Sequence, residues 1–143
     1  MKFLLVLPCF IYFLFIIHIG LRMFRQRVSA VKGGKLDMQF FKTFQDNDKS
    51  IVPDEVQILS RHFDNQFQIP MLFYITVLFA LQGNLTHWGM ITLAWLFVVT
   101  RFFHSYVHLG ANHLMTRVKS YFAGAIVLAA MWLLILVGSW PSP

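Results

Sequence analysis

The chain has 143 residues, of which 57% are hydrophobic and 13% charged, and its mean hydropathy is +0.62. A water-soluble domain is about half apolar and about a quarter charged, so this composition excludes an ordinary soluble protein and predicts one membrane domain over residues 1–143. The net charge of +6 is interpreted as loop charge that orients the chain in a bilayer. It does not indicate a nucleic-acid partner, because the long apolar runs leave no room for a basic soluble face.

The first apolar run covers residues 3–21 and ends in Arg22, Arg25 and Arg27. This length suits a helix that crosses a bilayer. It is too long for the apolar part of a signal peptide, and no A-x-A cleavage site follows it. The run therefore predicts an uncleaved first helix at about residues 3–24.

The second predicted helix follows a polar segment, residues 22–60, that holds seven of the twelve Lys and Arg residues. Pro53 followed by Asp54 and Glu55 is typical of a helix start. We therefore predict a helix at about residues 54–82, whose membrane part covers about 67–81. The polar loop before it is predicted at about residues 25–53.

Two further apolar runs predict helices at about residues 88–113 and 118–140. A short uncharged turn precedes Trp88, Arg117 and Lys119 lie between the two runs, and Pro141 stops the last. The fold class predicted is an all-α, multi-pass membrane bundle of four transmembrane helices. The positive-inside rule then predicts cytosolic basic loops, with both chain termini on the outer side of a bacterial inner membrane.

Polar side chains recur along one face of the third predicted helix. Their spacings from the first are 3, 4, 7 and 11 residues, which at about 100° per residue keeps them within an arc of about 100°. They are Arg101, His104, Ser105, His108 and Asn112. A charge at membrane depth costs roughly 2.5–3.5 kcal/mol on insertion scales, so such a residue usually has a partner or a function.

The second predicted helix repeats the pattern with Arg61, Asp64, Asn65 and Gln68. Two polar faces at the same depth favour a polar cleft. The alternative is that these residues only hold helices together, for example through an Arg101–Asp64 ion pair.

A metal site is the remaining alternative for this face. His104 and His108 lie four residues apart, which suits a shared ligand. No third ligand stands at a suitable spacing, because His113 points elsewhere on the helix. We therefore predict no metal.

Two segments resemble the signatures of a known family. Residues 61–70 carry Arg61, Asn65, Gln68 and Pro70, and this segment resembles the signature of the MAPEG superfamily, the membrane-associated proteins of eicosanoid and glutathione metabolism. Residues 101–117, with Arg101, His104, His108 and Arg117, resemble the second conserved block of that superfamily. The resemblance covers nearly the whole chain. It is strongest to the branch of the microsomal glutathione transferases and prostaglandin E synthases, in a bacterial form.

The resemblance implies a homotrimer with glutathione bound between subunits near the cytosolic surface. The thiolate-stabilising, catalytic arginine would be Arg117. The residues that would bind glutathione are Arg61, Asn65, Gln68, Arg101, His104 and His108, with Arg22 or Arg25 as a further basic contact. The other partners implied are membrane lipid and a lipophilic substrate that arrives from the bilayer. The implied function is a glutathione-dependent transferase or peroxidase.

Two departures from the family pattern support an alternative function. Gln68 stands where the family usually has Glu, and His108 stands where many active members have Tyr. The alternative is a non-catalytic membrane protein of the same fold that binds another anionic ligand, a lipid or a partner.

Overall fold

The computed structural model describes residues 1–37 and 52–140, and in these two ranges every regular element is a helix. The helices are α1 (Lys2–Lys32), α2 (Asp54–Asn65), α3 (Ile69–Gln82), α4 (Trp88–Leu109) and α5 (Leu114–Gly138). The predicted second helix corresponds to α2 and α3 in succession. The all-α four-helix bundle is therefore confirmed.

Three of the helices, α1, α4 and α5, are long and apolar enough to cross a membrane. Their outer surfaces expose large apolar side chains, such as Phe3, Ile126 and Val137. Such a surface is costly in water but suits a hydrocarbon environment. The chain is therefore an integral membrane protein.

The first helix is longer than the sequence suggested. It continues to Lys32, past the predicted end near residue 24, so Arg25 and Arg27 are helical. Neither Gly nor Pro lies between the predicted end and Gly33, and the turn that ends α1 uses Gly34 at a φ of 66°. The third helix ends at Leu109 instead of about residue 113, and the last spans Leu114–Gly138 instead of about 118–140. Residues 38–51 of the predicted loop, and Pro141, lie outside the described residues.

The break between α2 and α3 follows from Pro70. In a continuous helix the pyrrolidine ring would clash with the carbonyl of residue 66, and its nitrogen has no hydrogen to donate. The backbone instead tightens, with Gln66 N–H bonded to Phe63 O at 2.9 Å and Phe67 N–H to Asp64 O at 3.1 Å. Gln68 then leaves helical geometry, with ψ at −108°.

The apolar core joins α1, α3, α4 and α5. Tyr12, Phe73 and Phe97 are fully buried at its centre, and the rings of Phe73 and Phe97 stack with centroids 4.4 Å apart. One end of this core carries Trp88 and Trp140, both largely exposed, as in an interfacial aromatic belt. Buried polar side chains lie towards the opposite end of α4.

Candidate functional site

A polar cluster fills the interface between α2 and α4. The His62 ring is fully buried, with its centroid 5.0 Å from that of His108 and 6.1 Å from that of His104. Its Nε2 lies 2.9 Å from Ser105 Oγ. Three imidazoles from two helices therefore share one buried region.

Gln66 joins this cluster to α1. Its amide nitrogen donates to His62 O at 2.7 Å and lies 3.2 Å from His62 Nε2, while its oxygen accepts from Tyr12 Oη. Since the amide nitrogen has only hydrogens to offer, His62 Nε2 acts as the acceptor, which places the imidazole proton on Nδ1. That buried Nδ1 has no hydrogen-bond partner among the described residues.

His104 is oriented by Ser120 at the start of α5. The Ser120 hydroxyl donates to Arg117 O at 2.8 Å, so it accepts from His104 Nδ1, which lies 3.0 Å away. The opposite ring nitrogen, Nε2, is then a buried acceptor, and it has no partner in residues 1–37 and 52–140.

The Arg117 guanidinium is held at the edge of the cluster. Its Nη1 donates to Asn112 Oδ1 at 3.1 Å and lies 3.4 Å from His108 Nε2. Asn112 occupies the left-handed region, with φ at 48°, in the turn between α4 and α5. The half-buried Arg117 is thus fixed in place by two side chains from the preceding helix and turn.

Arg101 has a different environment. Its Nη2 donates to the carbonyls of Ser120 and Tyr121, both at 2.9 Å, and the side chain is only 3% exposed. The guanidinium lies against Gly124, where a Cβ would overlap it. Arg101 therefore connects α4 to α5 through backbone carbonyls, not through the Asp64 carboxylate that the ion-pair alternative invoked.

The predicted site residues fall into two groups. Asn65 lines the same small enclosed space as Arg101 and His104, and His108 contacts Arg117. Five predicted residues therefore lie together. The other four, Arg22, Arg25, Arg61 and Gln68, are exposed on the single chain.

The four exposed residues occupy separate places. Arg61 lines a cavity between α1 and α2, and Arg22 lines a groove between α1 and α4. Arg25 is exposed on α1, one turn beyond Arg22. Gln68 lies at the helix break without a side-chain hydrogen bond to the backbone there. Their assignment to a glutathione site stays a prediction.

Sequence reasoning missed His62 and Gln66. The sequence predicted that the polar face of the second predicted helix carries Arg61, Asp64, Asn65 and Gln68. In the structure, His62 and Gln66 are the polar pair that faces α4. Their i, i+4 spacing in an amphipathic helix was the available signal. Although His62 supplies a third imidazole, no group of His, Cys, Asp or Glu in the described residues is arranged to hold a metal.

The buried setting of His62 disfavours its charged form. Burial lowers the pKa of His62 from 6.5 to about 3, and His108, His104, Arg101 and Arg22 add repulsion in the same direction. This residue lies in α2, before the segment predicted to enter the membrane. His62 is therefore neutral at physiological pH.

Comparison with known proteins gives one match. The model of the MAPEG family matches residues 5–137. No curated protein and no solved structure matches the chain.

Proposed function

The chain belongs to the MAPEG family, the membrane proteins of eicosanoid and glutathione metabolism, and from this premise we propose that it is a glutathione-dependent transferase or peroxidase-like protein. In this proposal it activates the glutathione thiolate against a lipophilic substrate. The observation that carries the proposal is the fixed position of Arg117.

Arg117 suits the stabilisation of a thiolate. A guanidinium stays protonated throughout the physiological range, and a positive charge beside a thiol lowers the pKa of that thiol. The side chain is half-buried, and Asn112 and His108 orient it from one side. A glutathione sulfur that contacts the other edge of the Arg117 guanidinium would be stabilised as a thiolate. This thiolate could then attack an electrophilic carbon or a peroxide oxygen.

The exposed cationic residues suit the anionic parts of glutathione. Guanidinium groups bind carboxylates with two parallel hydrogen bonds, and glutathione carries two carboxylates. Arg61 and Gln68 are exposed on the α2–α3 segment, while Asn65 is half-buried and lines the enclosed space beside Arg101 and His104. We propose that a neighbouring subunit of a homotrimer closes the exposed side of this segment and completes the site.

The proposed orientation follows the charge distribution. We infer that the α1 C-terminus, the α2 region and the α4–α5 turn face the cytosol of a bacterium, because the basic residues concentrate there. The lipophilic substrate then reaches the site from the bilayer.

A second candidate function is a non-catalytic MAPEG-fold protein that binds another anionic ligand, a lipid or a partner. The specific observation in its favour concerns Arg101, which was predicted to bind glutathione. Its guanidinium instead donates to two backbone carbonyls within the protein. Gln68 in place of Glu also removes a charge that would meet the ammonium group of glutathione.

The first test measures glutathione binding to the purified protein by calorimetry, in the wild type and in Arg117→Ala. We expect Arg117→Ala to weaken binding by about tenfold or more, since a hydrogen bond to a charged group contributes about 1.5–3 kcal/mol. The variant should also raise the pKa of the bound thiol, measured by thiolate absorbance against pH.

The matched control is Lys119→Ala, which removes an exposed positive charge from the same helical turn. It should leave binding within about twofold, because exposed pairs contribute little. Absence of binding to the wild type at millimolar glutathione would reject the catalytic proposal and favour the second candidate.

A further inference from the structure

Two cavities adjoin on the side of α2 that faces α1. We define the basic cavity as the space of about 530 Å³ that includes Arg27, Ser60, Arg61 and Asp64. We define the apolar cavity as the space of about 590 Å³ that includes Ile17, Phe67, Met71 and Tyr74. Both are lined by Phe63, so they meet at that ring.

The position of Phe63 depends on Gly20. A Cβ at Gly20 would lie 3.1 Å from Phe63 Cε2, so the absence of a side chain lets the ring rest against α1. The ring also packs edge-on against Phe67, with centroids 5.1 Å apart. Phe63 is thus a fixed partition between the two cavities.

The apolar cavity offers a hydrocarbon surface. Its wall on α1 is formed by apolar side chains between Phe13 and Leu21, both about half exposed. The polar groups among its lining are already bonded: Tyr74 Oη donates to Cys9 O at 3.1 Å, and Gln66 bonds to Tyr12 and His62. The α1 part of the lining belongs to a helix able to cross the membrane, and an alkyl chain suits such an apolar surface.

The basic cavity lies further along α1, towards its C-terminus. Arg27 is six residues beyond Leu21, which corresponds to about 9 Å along a helix axis. Among the described residues, the charged groups that line the cavity are the guanidinium groups of Arg27 and Arg61 and the carboxylate of Asp64. Arg27 also bridges the helices, since its Nη2 donates to Ser60 Oγ at 3.0 Å.

Along α1, the basic cavity follows the apolar cavity towards the membrane surface, which is the order of the headgroup and the alkyl chain in a lipid of one leaflet. Such a molecule would lie parallel to α1, with its negative group in the basic cavity near the membrane surface. Its alkyl chain would pass Phe63 and extend through the apolar cavity into the bilayer. We propose that the two cavities together form a binding site for an anionic phospholipid of that leaflet. The phosphate contacts Arg27 and Arg61, and one acyl chain occupies the apolar cavity.

This site shares Arg61 with the proposed glutathione site, so its test uses residues that lie outside the glutathione site. Arg27 and Ile17 are not among the residues assigned to glutathione, and neither belongs to the His62–His104–His108 cluster. The variants below therefore report on lipid binding even if glutathione does not bind.

The experiment counts lipids on the delipidated full chain by native mass spectrometry. Phosphatidylglycerol, phosphatidylcholine and inorganic phosphate are titrated separately. We expect one phosphatidylglycerol per chain to bind about fivefold or more tightly than phosphatidylcholine. Inorganic phosphate, which lacks an acyl chain, should bind weakly and should not displace the lipid.

Two variants test the two ends of the site. Arg27→Gln should remove most of the preference for phosphatidylglycerol, while Lys32→Gln, which removes an exposed charge from the last turn of the same helix, should retain it. Ile17→Trp fills the apolar cavity and should weaken both phospholipids. Ile126→Trp, on an exposed lipid-facing position of α5, should not.

Ser60→Ala separates lipid binding from helix packing. It removes the Arg27–Ser60 hydrogen bond but keeps the guanidinium, so the lipid preference should persist. The proposal is overturned if both phospholipids bind equally, if Lys32→Gln acts like Arg27→Gln, or if Ser60→Ala abolishes the preference.

Discussion

At the scale of single residues, the buried guanidinium of Arg101 shows how a charge is accommodated at membrane depth. It donates to two carbonyls at the start of α5 and lies 5.5 Å from the centroid of the Phe97 ring and 5.6 Å from that of Tyr121. Cation–π contacts of this kind contribute most where water is excluded. Gly124 provides the space that the guanidinium occupies.

Gly124→Ala is expected to destabilise the protein by about 2–4 kcal/mol, because the added methyl group displaces Arg101 from its carbonyl acceptors. Thermal unfolding in detergent measures the effect. Arg101→Ala provides the control: in that background Gly124→Ala should cost much less. Additive losses in the double variant would show that Gly124 acts independently of Arg101.

The neutral state of His62 predicts an acid-sensitive fold. Because the pKa of His62 is about 3 in the folded protein and 6.5 ordinarily, the unfolded chain binds a proton first as the pH falls. The stabilisation is complete above pH 6.5 and is lost as the pH falls from 6.5 towards 3. The expected slope is about 1.4 kcal/mol per pH unit for one proton.

Unfolding measured between pH 7.5 and 4.5 tests this prediction. His62→Gln should flatten the dependence, because a glutamine does not titrate in this range. His113→Gln, at an exposed position, should leave the slope unchanged. Equal slopes in the wild type and in His62→Gln would assign the acid sensitivity to other groups.

At the scale of elements, the break between α2 and α3 places polar groups on two sides of one segment. Before the break, His62 and Gln66 face the bundle; at the break, Gln68 is exposed. Pro70 ends the continuous helix, and the Gln66 side chain then ties the end of α2 to Tyr12 of α1. The break thus combines a backbone constraint with a side-chain anchor.

Gln66→Ala should reduce the free energy of unfolding by about 1–3 kcal/mol, because it removes the acceptor to which the buried Tyr12 hydroxyl donates and the amide that bonds to His62. Chemical unfolding in mixed detergent micelles measures this change. Gln68→Ala is the comparison in the same segment and should alter stability by less than about 0.5 kcal/mol. A similar loss in both variants would contradict the anchoring role.

At the scale of the whole molecule, the outward faces of the bundle have to meet either lipid or other chains. Most of these faces are apolar, but the α2 face carries Arg61 and Asp64, both exposed. A polar surface beside the bilayer is costly unless it is hydrated or paired. In the proposed trimer, neighbouring chains and a polar ligand would cover that face.

Native mass spectrometry in detergent is expected to show three chains per particle. Arg61→Ala should keep three chains and weaken glutathione binding, because the residue is proposed to contact the ligand. Lys119→Ala should change neither property. Dissociation of Arg61→Ala into single chains would instead assign this polar face to subunit association.

The sequence by itself predicted the membrane class and the four-helix bundle, because apolar runs of bilayer length are properties of the linear chain. The family followed from the resemblance of residues 61–70 and 101–117 to its signatures. The periodicity of α4 also predicted correctly that Arg101, His104, Ser105 and His108 share a face, since spacing within one helix fixes direction. Asn112, predicted on the same face, lies instead in the turn after α4. The sequence did not predict the C-terminal end of α1, because neither Gly nor Pro lies between residue 24 and Gly33.

Only the tertiary structure decided which residues meet between helices. His62 and Gln66 face α4, whereas Arg61 and Gln68 face outward, because the rotation of α2 about its axis depends on how the whole helix packs. Arg101 bonds to carbonyls and not to Asp64, because α5 lies beside it where Gly124 admits the guanidinium. Contacts between helices depend on translation and rotation of whole elements, and residue spacing within one helix does not contain that information.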